Sequence, residues 1–205
     1  MADKLTFSGM TWDILEEKYG IRERDDVLFA DCPLVEPTAI LVGNLQRARH
    51  FVLVNERARS NRLVDPVLSE LEMLYEGKII TVPEMYLEVK DVEGLSGSPD
   101  FVISAGTMTK TVPIVSILEA KKHDVDPGLP QCAAELYASY LLDKGVPKRL
   151  YGCVTNGWDW KFLRFDGDEK QVVVDRGIYF INELPPLLGV LRRIVDVSLA
   201  ALEGR

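Results

Sequence analysis

The sequence predicts a single α/β domain in which one central mixed β-sheet is flanked by α-helices, with further helices at both ends. Three observations carry that reading. Helical and strand patterns come in the order helices, three or four strands, helix, two strands, helix, and one sheet packed between helices is the simplest packing of that order. The run Pro113-Ile114-Val115-Ser116-Ile117-Leu118 is broken only by Ser116, as in a central strand buried on both faces. The helical stretch after it, introduced by Asp126-Pro127-Gly128, is placed to cross over between two parallel strands.

In chain order, residues 11–19 are predicted helical, because Trp12, Leu15 and Tyr19 form one stripe and Gly20 supplies a stop. Residues 21–38 contain Pro33 and Pro37 and read as a loop or arm. Helical character returns over 39–49. A second helix fits 55–75, where Leu63, Val67, Leu68, Leu71 and Leu74 recur at helical spacing before Gly77. Pro66 inside that span should kink or divide it. Strand signals cover 78–82, 85–90, 101–104 and 112–118, and a helix covers 130–142. Two more strands, 149–155 and 159–165, are joined by Asn156-Gly157, a strong tight-turn dipeptide. A short strand at 171–174 and a helix over 184–202 close the chain. No repeat, low-complexity tract or long linker is visible. Residues 1–205 therefore read as one domain, with an N-terminal helical extension (1–54), a core (55–165) and a C-terminal strand and helix (166–205).

Composition bounds the function. Of 205 residues 47% are hydrophobic and 27% charged, the balance of an ordinary globular protein with a proper core. No basic-then-apolar leader opens the chain, and no uncharged run approaches the ~20 residues needed to span a bilayer. Cys32, Cys132 and Cys153 are odd in number, far apart and without metal spacing, which predicts reduced, buried thiols in a cytoplasmic protein. His50 and His123 have no neighbouring Cys or His, which argues against zinc. A net charge of −8 argues against a chain that grips nucleic acid over a wide surface by itself. Arginines nevertheless crowd at 47, 49, 57, 59 and 62, and a second basic group comprises Lys144, Lys148, Arg149, Lys161 and Arg164. A basic cleft on an acidic body and a solvated helix face explain the arginines equally well.

The stretch 98–122 carries the chemistry. Pro99-Asp100 opens the apolar strand Phe101-Val102-Ile103, and the next apolar strand ends in Glu119-Ala120-Lys121. Positions 119 and 121 share one side of an extended chain, with Ala120 on the other. Charges at the end of a buried strand are costly unless paired or metal-bound. Two carboxylates can hold a hard cation such as Mg²⁺ or Mn²⁺, and a lysine beside it can position or deprotonate a water. That is equipment for hydrolysing a phosphodiester. The plainer account makes Asp100 a turn residue after Pro99 and leaves Glu119 and Lys121 as polar residues at a strand end; the buried strands that deliver them favour the chemical reading.

Pro99-Asp100 followed by Glu119-Ala120-Lys121 resembles the PD-(D/E)XK nuclease superfamily, the restriction-endonuclease-like fold. Three further segments are similar to the N-terminal nuclease domain of type I restriction enzyme R subunits. The run Asn55-Glu56-Arg57-Ala58-Arg59-Ser60-Asn61-Arg62-Leu63-Val64-Asp65-Pro66-Val67-Leu68 looks like its leading helix. Gln131 resembles the glutamine that opens the helix behind the active site. Val154-Thr155-Asn156-Gly157-Trp158-Asp159-Trp160-Lys161-Phe162 looks like the strand-turn-strand that closes the same core. The resemblance covers about 55–165. It implies a restriction-endonuclease-like core in which Asp100 and Glu119 ligate Mg²⁺ or Mn²⁺ and Lys121 orients the attacking water. It also implies an acid on the leading helix. Glu56 matches that position, although a solvated helix-face charge explains it equally, and Glu70 is the rival. Gln131 would orient the site or touch substrate, or be only a first-turn helix residue. Many relatives carry a tyrosine four residues after that glutamine, whereas this chain has Glu135, with Tyr137 nearest.

The partners expected on this basis are nucleic acid, DNA before RNA, and a protein that supplies specificity or motor function. The chain contains no Gly-x-x-x-x-Gly-Lys-Ser/Thr string of its own. The competing expectation is a catalytically silent binding or scaffolding module of the same fold within a larger complex. The acidic net charge favours it, and the intact Asp100, Glu119 and Lys121 set opposes it.

Overall fold

The computed structural model describes residues 5–107, 110–119, 124–146 and 148–203, with backbone alone for residues 56, 107 and 110–119. Helix α1 (Trp12–Tyr19) starts at Thr11, whose hydroxyl accepts from the Ile14 N–H, and stops at Gly20 in the left-handed region. Strand β1 (Arg22–Asp26) and helix α2 (Ala39–Ala48) come next. They lead to the short helix α3 (Glu56–Arg59), a π-helical turn over Ser60–Val64, and α4 (Asp65–Leu74). The strands β2 (Ile79–Pro83), β3 (Leu87–Glu88), β4 (Ser96–Gly97), β5 (Phe101–Thr107) and β6 (Lys110–Glu119) lead to α5 (Leu129–Leu142). The chain closes with β7 (Arg149–Thr155), β8 (Asp159–Asp166), β9 (Gln171–Asp175), β10 (Tyr179–Phe180) and α6 (Leu184–Glu203).

Eight strands form one mixed sheet in the order β1-β9-β8-β7-β6-β5-β2, with β10 paired to β8. Strands β5 and β6 are antiparallel neighbours, with Phe101 opposite Ile117 and Val102 opposite Ser116. Strands β6 and β7 are parallel, and α5, which connects them, packs on both. The crossover that the sequence predicts is therefore present. Helices cover both faces, giving three layers. On one face Phe101, Ile103, Tyr151 and Phe162 pack with residues of α2, α4 and α6. On the other, Val154, Leu163 and Phe165 pack with α1 and with Cys132, Leu136 and Ala138 of α5.

The structure departs from expectation at three places and meets it at Pro66. Residues 22–26, read as part of an arm, form β1, a parallel edge strand along β9. Its sequence, Arg-Glu-Arg-Asp-Asp, has no apolar alternation because it lies at the sheet edge with its side chains largely exposed, and edge charge blocks pairing with a further chain. The strand expected over 85–90 shrinks to β3, paired only with β4 outside the main sheet; Glu84, at φ 48°, turns the chain away after β2. The helix over 55–75 is divided as Pro66 requires. Proline lacks the amide that would reach Arg62, and the chain widens into a π turn closed by the Asp65 N–H on the Ser60 carbonyl. Strand β10 is too short to show a period in the sequence. Among the described residues, no helix is long and apolar enough to cross a membrane.

Candidate functional site

A cleft of about 580 Å³ opens where the mouth of β5 meets the helical segment 57–72 and the end of β2. Asp100, the residue before β5, lines it. So do Asp65 and Glu72 from α4 and Glu84 after β2, with Arg57 the single basic residue of the lining. Four carboxylates against one guanidinium make the cleft strongly negative, and a concave acidic surface raises the local concentration of cations.

Local structure explains each placement. Pro99 is buried and Asp100 half-buried, and the Asp100 carbonyl accepts from the Glu84 N–H at 3.1 Å, continuing the ladder in which Pro83 faces Phe101. Glu72 accepts the Thr81 N–H through Oε1, which fastens α4 to β2. Burial pushes the Asp65 carboxyl above its ordinary range, because a desolvated carboxylate loses hydration that the neutral acid needs less. The π turn sets the rotation of this wall. One extra residue in a helical turn rotates the next stretch of helix by about 100°, and past it Asp65, Ser69 and Glu72 face the cleft.

The hairpin turn between β7 and β8 stands against the same helical segment. A β-carbon on Gly157 would lie 3.0 Å from Leu63 Cδ1 and 3.6 Å from Arg59 Cβ. Gly157 is at φ +91°, and its N–H is accepted by Thr155 Oγ1 at 2.9 Å. Asn156 Oδ1 accepts the N–H groups of Trp158 and Asp159, each at 2.8 Å, so the Asn-Gly pair builds the turn that its sequence predicts.

The residues expected from sequence to form one site are only partly brought together. Asp100 lies in the cleft. Glu119 ends β6, its backbone in register with Thr155 and two positions beyond Ile117, the partner of Phe101 and Cys153; its side chain is outside the described atoms. Lys121 lies outside the described residues, as does Lys122. Glu56 is the first residue of α3, again without a described side chain. Gln131, in the first turn of α5, donates through Nε2 to Glu135 Oε1 at 3.1 Å. That helix packs into the core on the far side of the sheet, and Gln131 does not line the cleft. Glu135 thus takes up the glutamine amide, while Tyr137 packs against Tyr19 and Phe165. Glu70, the rival acid, is 3% exposed, and its carboxylate accepts the N–H and the hydroxyl of Thr38, each at 2.7 Å. It ties α4 to the start of α2 and does not line the cleft.

Sequence reading did not single out Asp65. Its signal was a polar stripe, Asn61, Asp65, Ser69 and Glu72, beside the apolar stripe Leu63, Val67 and Leu71. Among the described residues, no three carboxylate, imidazole or thiol groups stand close enough to hold one ion. The donors that line the cleft are all hard oxygens, the kind that Mg²⁺ and Mn²⁺ select. Cys132 and Cys153 are buried, with thiols held well above their ordinary range by burial, and Cys32 is half-buried; all three are thiols outside any disulfide.

No family model matches the chain, and a search of curated proteins finds no match.

Proposed function

We propose that this protein is a metal-dependent phosphodiesterase with a restriction-endonuclease-like core, acting on nucleic acid and on DNA in particular. The observation that carries the reading is the placement of Asp100 in an acidic cleft at the mouth of β5, beside antiparallel β6, whose last described residue is Glu119. The antiparallel run β2-β5-β6, the parallel step to β7 through α5 and the leading helix with a proline-induced break all support it.

In this reading Asp100 and Glu119 hold Mg²⁺ or Mn²⁺. Asp65 is the acid that the leading helix contributes, in preference to Glu56 or Glu70. A divalent cation bound there would offset charge developing on the phosphoryl oxygens and acidify a bound water. Lys121 orients the attacking water or takes its proton, and the Arg57 guanidinium at the rim contacts a phosphate of the substrate strand. Two carboxylates suffice for Mg²⁺, which keeps most of its waters.

In this reading the metal also assists substrate approach, since four carboxylates against one guanidinium repel a phosphodiester. The same acidity equally favours the second reading, a silent scaffolding module in a larger complex. Plasmid and single-strand cleavage with Mn²⁺ at low salt, together with calorimetric Mn²⁺ titration, decides between them. The nuclease reading expects cleavage by the wild type and loss of both cleavage and Mn²⁺ binding in Asp100→Ala and Glu119→Ala. Mn²⁺ binding unchanged in the double variant would overturn the site assignment, and a folded wild type that cleaves no substrate would favour the scaffold.

A further inference from the structure

A second cavity, of about 540 Å³, lies between the 27–33 loop, β7, β8 and α6. Arg149, Arg164 and Arg193 line it, with Phe29, Tyr151 and Asp31. It shares no lining residue with the Asp100 cleft. Arg149 opens β7 and Thr155 ends it beside Glu119, so six extended steps of ~3.3 Å separate the two ends of that strand.

In the lining itself arginine outnumbers acid. Asp166 accepts from Arg149 Nε at 3.1 Å and from Arg164 Nε and Nη2 at 3.0 and 2.7 Å, so one carboxylate serves two guanidiniums. Among the described residues the Arg149 side chain makes no other hydrogen bond, and that of Arg193 makes none. Asp31 is the one carboxylate in the lining. The lining itself carries three guanidiniums and one carboxylate, on a chain whose net charge is −8. Asp166 stands behind Arg149 and Arg164, and Asp175 takes the Leu28 N–H at 2.9 Å behind the loop. The wall is firm: Tyr151 and Phe29 are 7% and 8% exposed, their rings 6.3 Å apart. The side chain of Arg164 is only 20% exposed and held in place by Asp166.

We propose that this cavity is a separate binding site for a phosphate monoester, carried by a mononucleotide or by the 5′ end of a nucleic-acid strand. Guanidinium forks match phosphate oxygens in pairs, and a monoester near −2 charge offers three terminal oxygens to three arginines where a carboxylate offers two. The volume falls within the ~300–1,000 Å³ of small-molecule sites. Arg164, held by Asp166, forms the fixed side, and the exposed Arg149 and Arg193 close on the bound group.

The test is calorimetry on the full chain at low salt in EDTA, which removes any contribution from metal at the acidic cleft. Adenosine 5′-monophosphate should bind and adenosine should not. Arg193→Gln should weaken the monophosphate at least tenfold while leaving the thermal midpoint of the free protein unchanged. Arg192→Gln, whose arginine pairs with Asp196 at 3.7 Å and does not line the cavity, should bind as the wild type does. Displacement by a 5′-phosphorylated tetranucleotide but not its 5′-hydroxyl form assigns the site to strand ends; no displacement by either assigns it to free mononucleotides. No binding of the monophosphate, equal binding of adenosine, or equal loss in the two variants would overturn the proposal.

Discussion

Replacing Glu70 separates a structural carboxylate from Asp65, the one assigned to the proposed site on the same helix. Glu70→Ala removes an acceptor that is 3% exposed and takes two hydrogen bonds from Thr38, both at 2.7 Å. A buried donor left without a partner costs about 1–3 kcal/mol. Thr38 is half-buried, so water recovers part of that cost, and the sum for two donors comes to roughly 2–4 kcal/mol. At roughly 2–4 °C per kcal/mol for a chain of this size, the thermal midpoint should fall on the order of 10 °C. Thr38 is also the N-cap of α2, its hydroxyl accepting the Leu41 N–H at 3.3 Å, so the loss spreads to the start of that helix. Glu70→Gln keeps one carbonyl acceptor and should cost about 1 kcal/mol, the worth of charge assistance. Neither change should affect cleavage or Mn²⁺ binding at temperatures where the variant is folded. Differential scanning calorimetry beside the plasmid assay checks both. A midpoint unmoved in Glu70→Ala, or a Glu70→Gln protein that is stable but inactive, would refute the structural assignment.

Three further outcomes can be measured. Because the folded-state pKa of Asp65 is raised, the native state binds more protons than the unfolded chain between the ordinary carboxylate pKa and that raised value; stability should fall as pH rises through this window, and Asp65→Asn should flatten the slope in urea unfolding while abolishing cleavage. Gly157→Ala forces an alanine to φ +91° and a β-carbon to 3.0 Å from Leu63 Cδ1; it should lose about 1–3 kcal/mol, read by urea midpoint, and a neutral result would show that the turn yields freely. Lys121→Ala should remove cleavage while sparing Mn²⁺ binding, whereas Lys122→Ala, one position out of the alternation that the sequence predicts, should lower only the salt dependence of substrate binding, by about one unit of slope; equal loss in the two variants would argue for a nonspecific basic patch.

The acidic cleft and the arginine-lined cavity lie at different places on one sheet and ask for opposite charges. Net charge alone conceals this. At −8 the chain looks unsuited to phosphate, yet three arginines from β7, β8 and α6 line one cavity far along the sheet from Glu119.

The features that the sequence determined by itself are those that local chemistry determines. The stop at Gly20, the break at Pro66 and the Asn156-Gly157 turn each depend on residues within one or two turns of chain, and each stands where the pattern puts it; Thr11, read as the first helical residue, is the cap. The adjacency of β5 and β6 and the parallel step through α5 were legible too, because buried strands separated by a short turn or by a helix have few ways to pair. The tertiary structure decided the rest. Strand β1 carries no apolar alternation, so only the edge of β9 makes it a strand. Glu70 and Asp65 lie five residues apart on one helix, and their sequence gives no sign that one meets Thr38 while the other lines the cleft. Five residues along an α-helix set the two about 140° apart, and the π turn before Pro66 decides which of the two faces meets the cleft. The three arginines of the second cavity meet only because β7, β8 and α6 pack side by side, a convergence over more than forty residues of chain that no local pattern records.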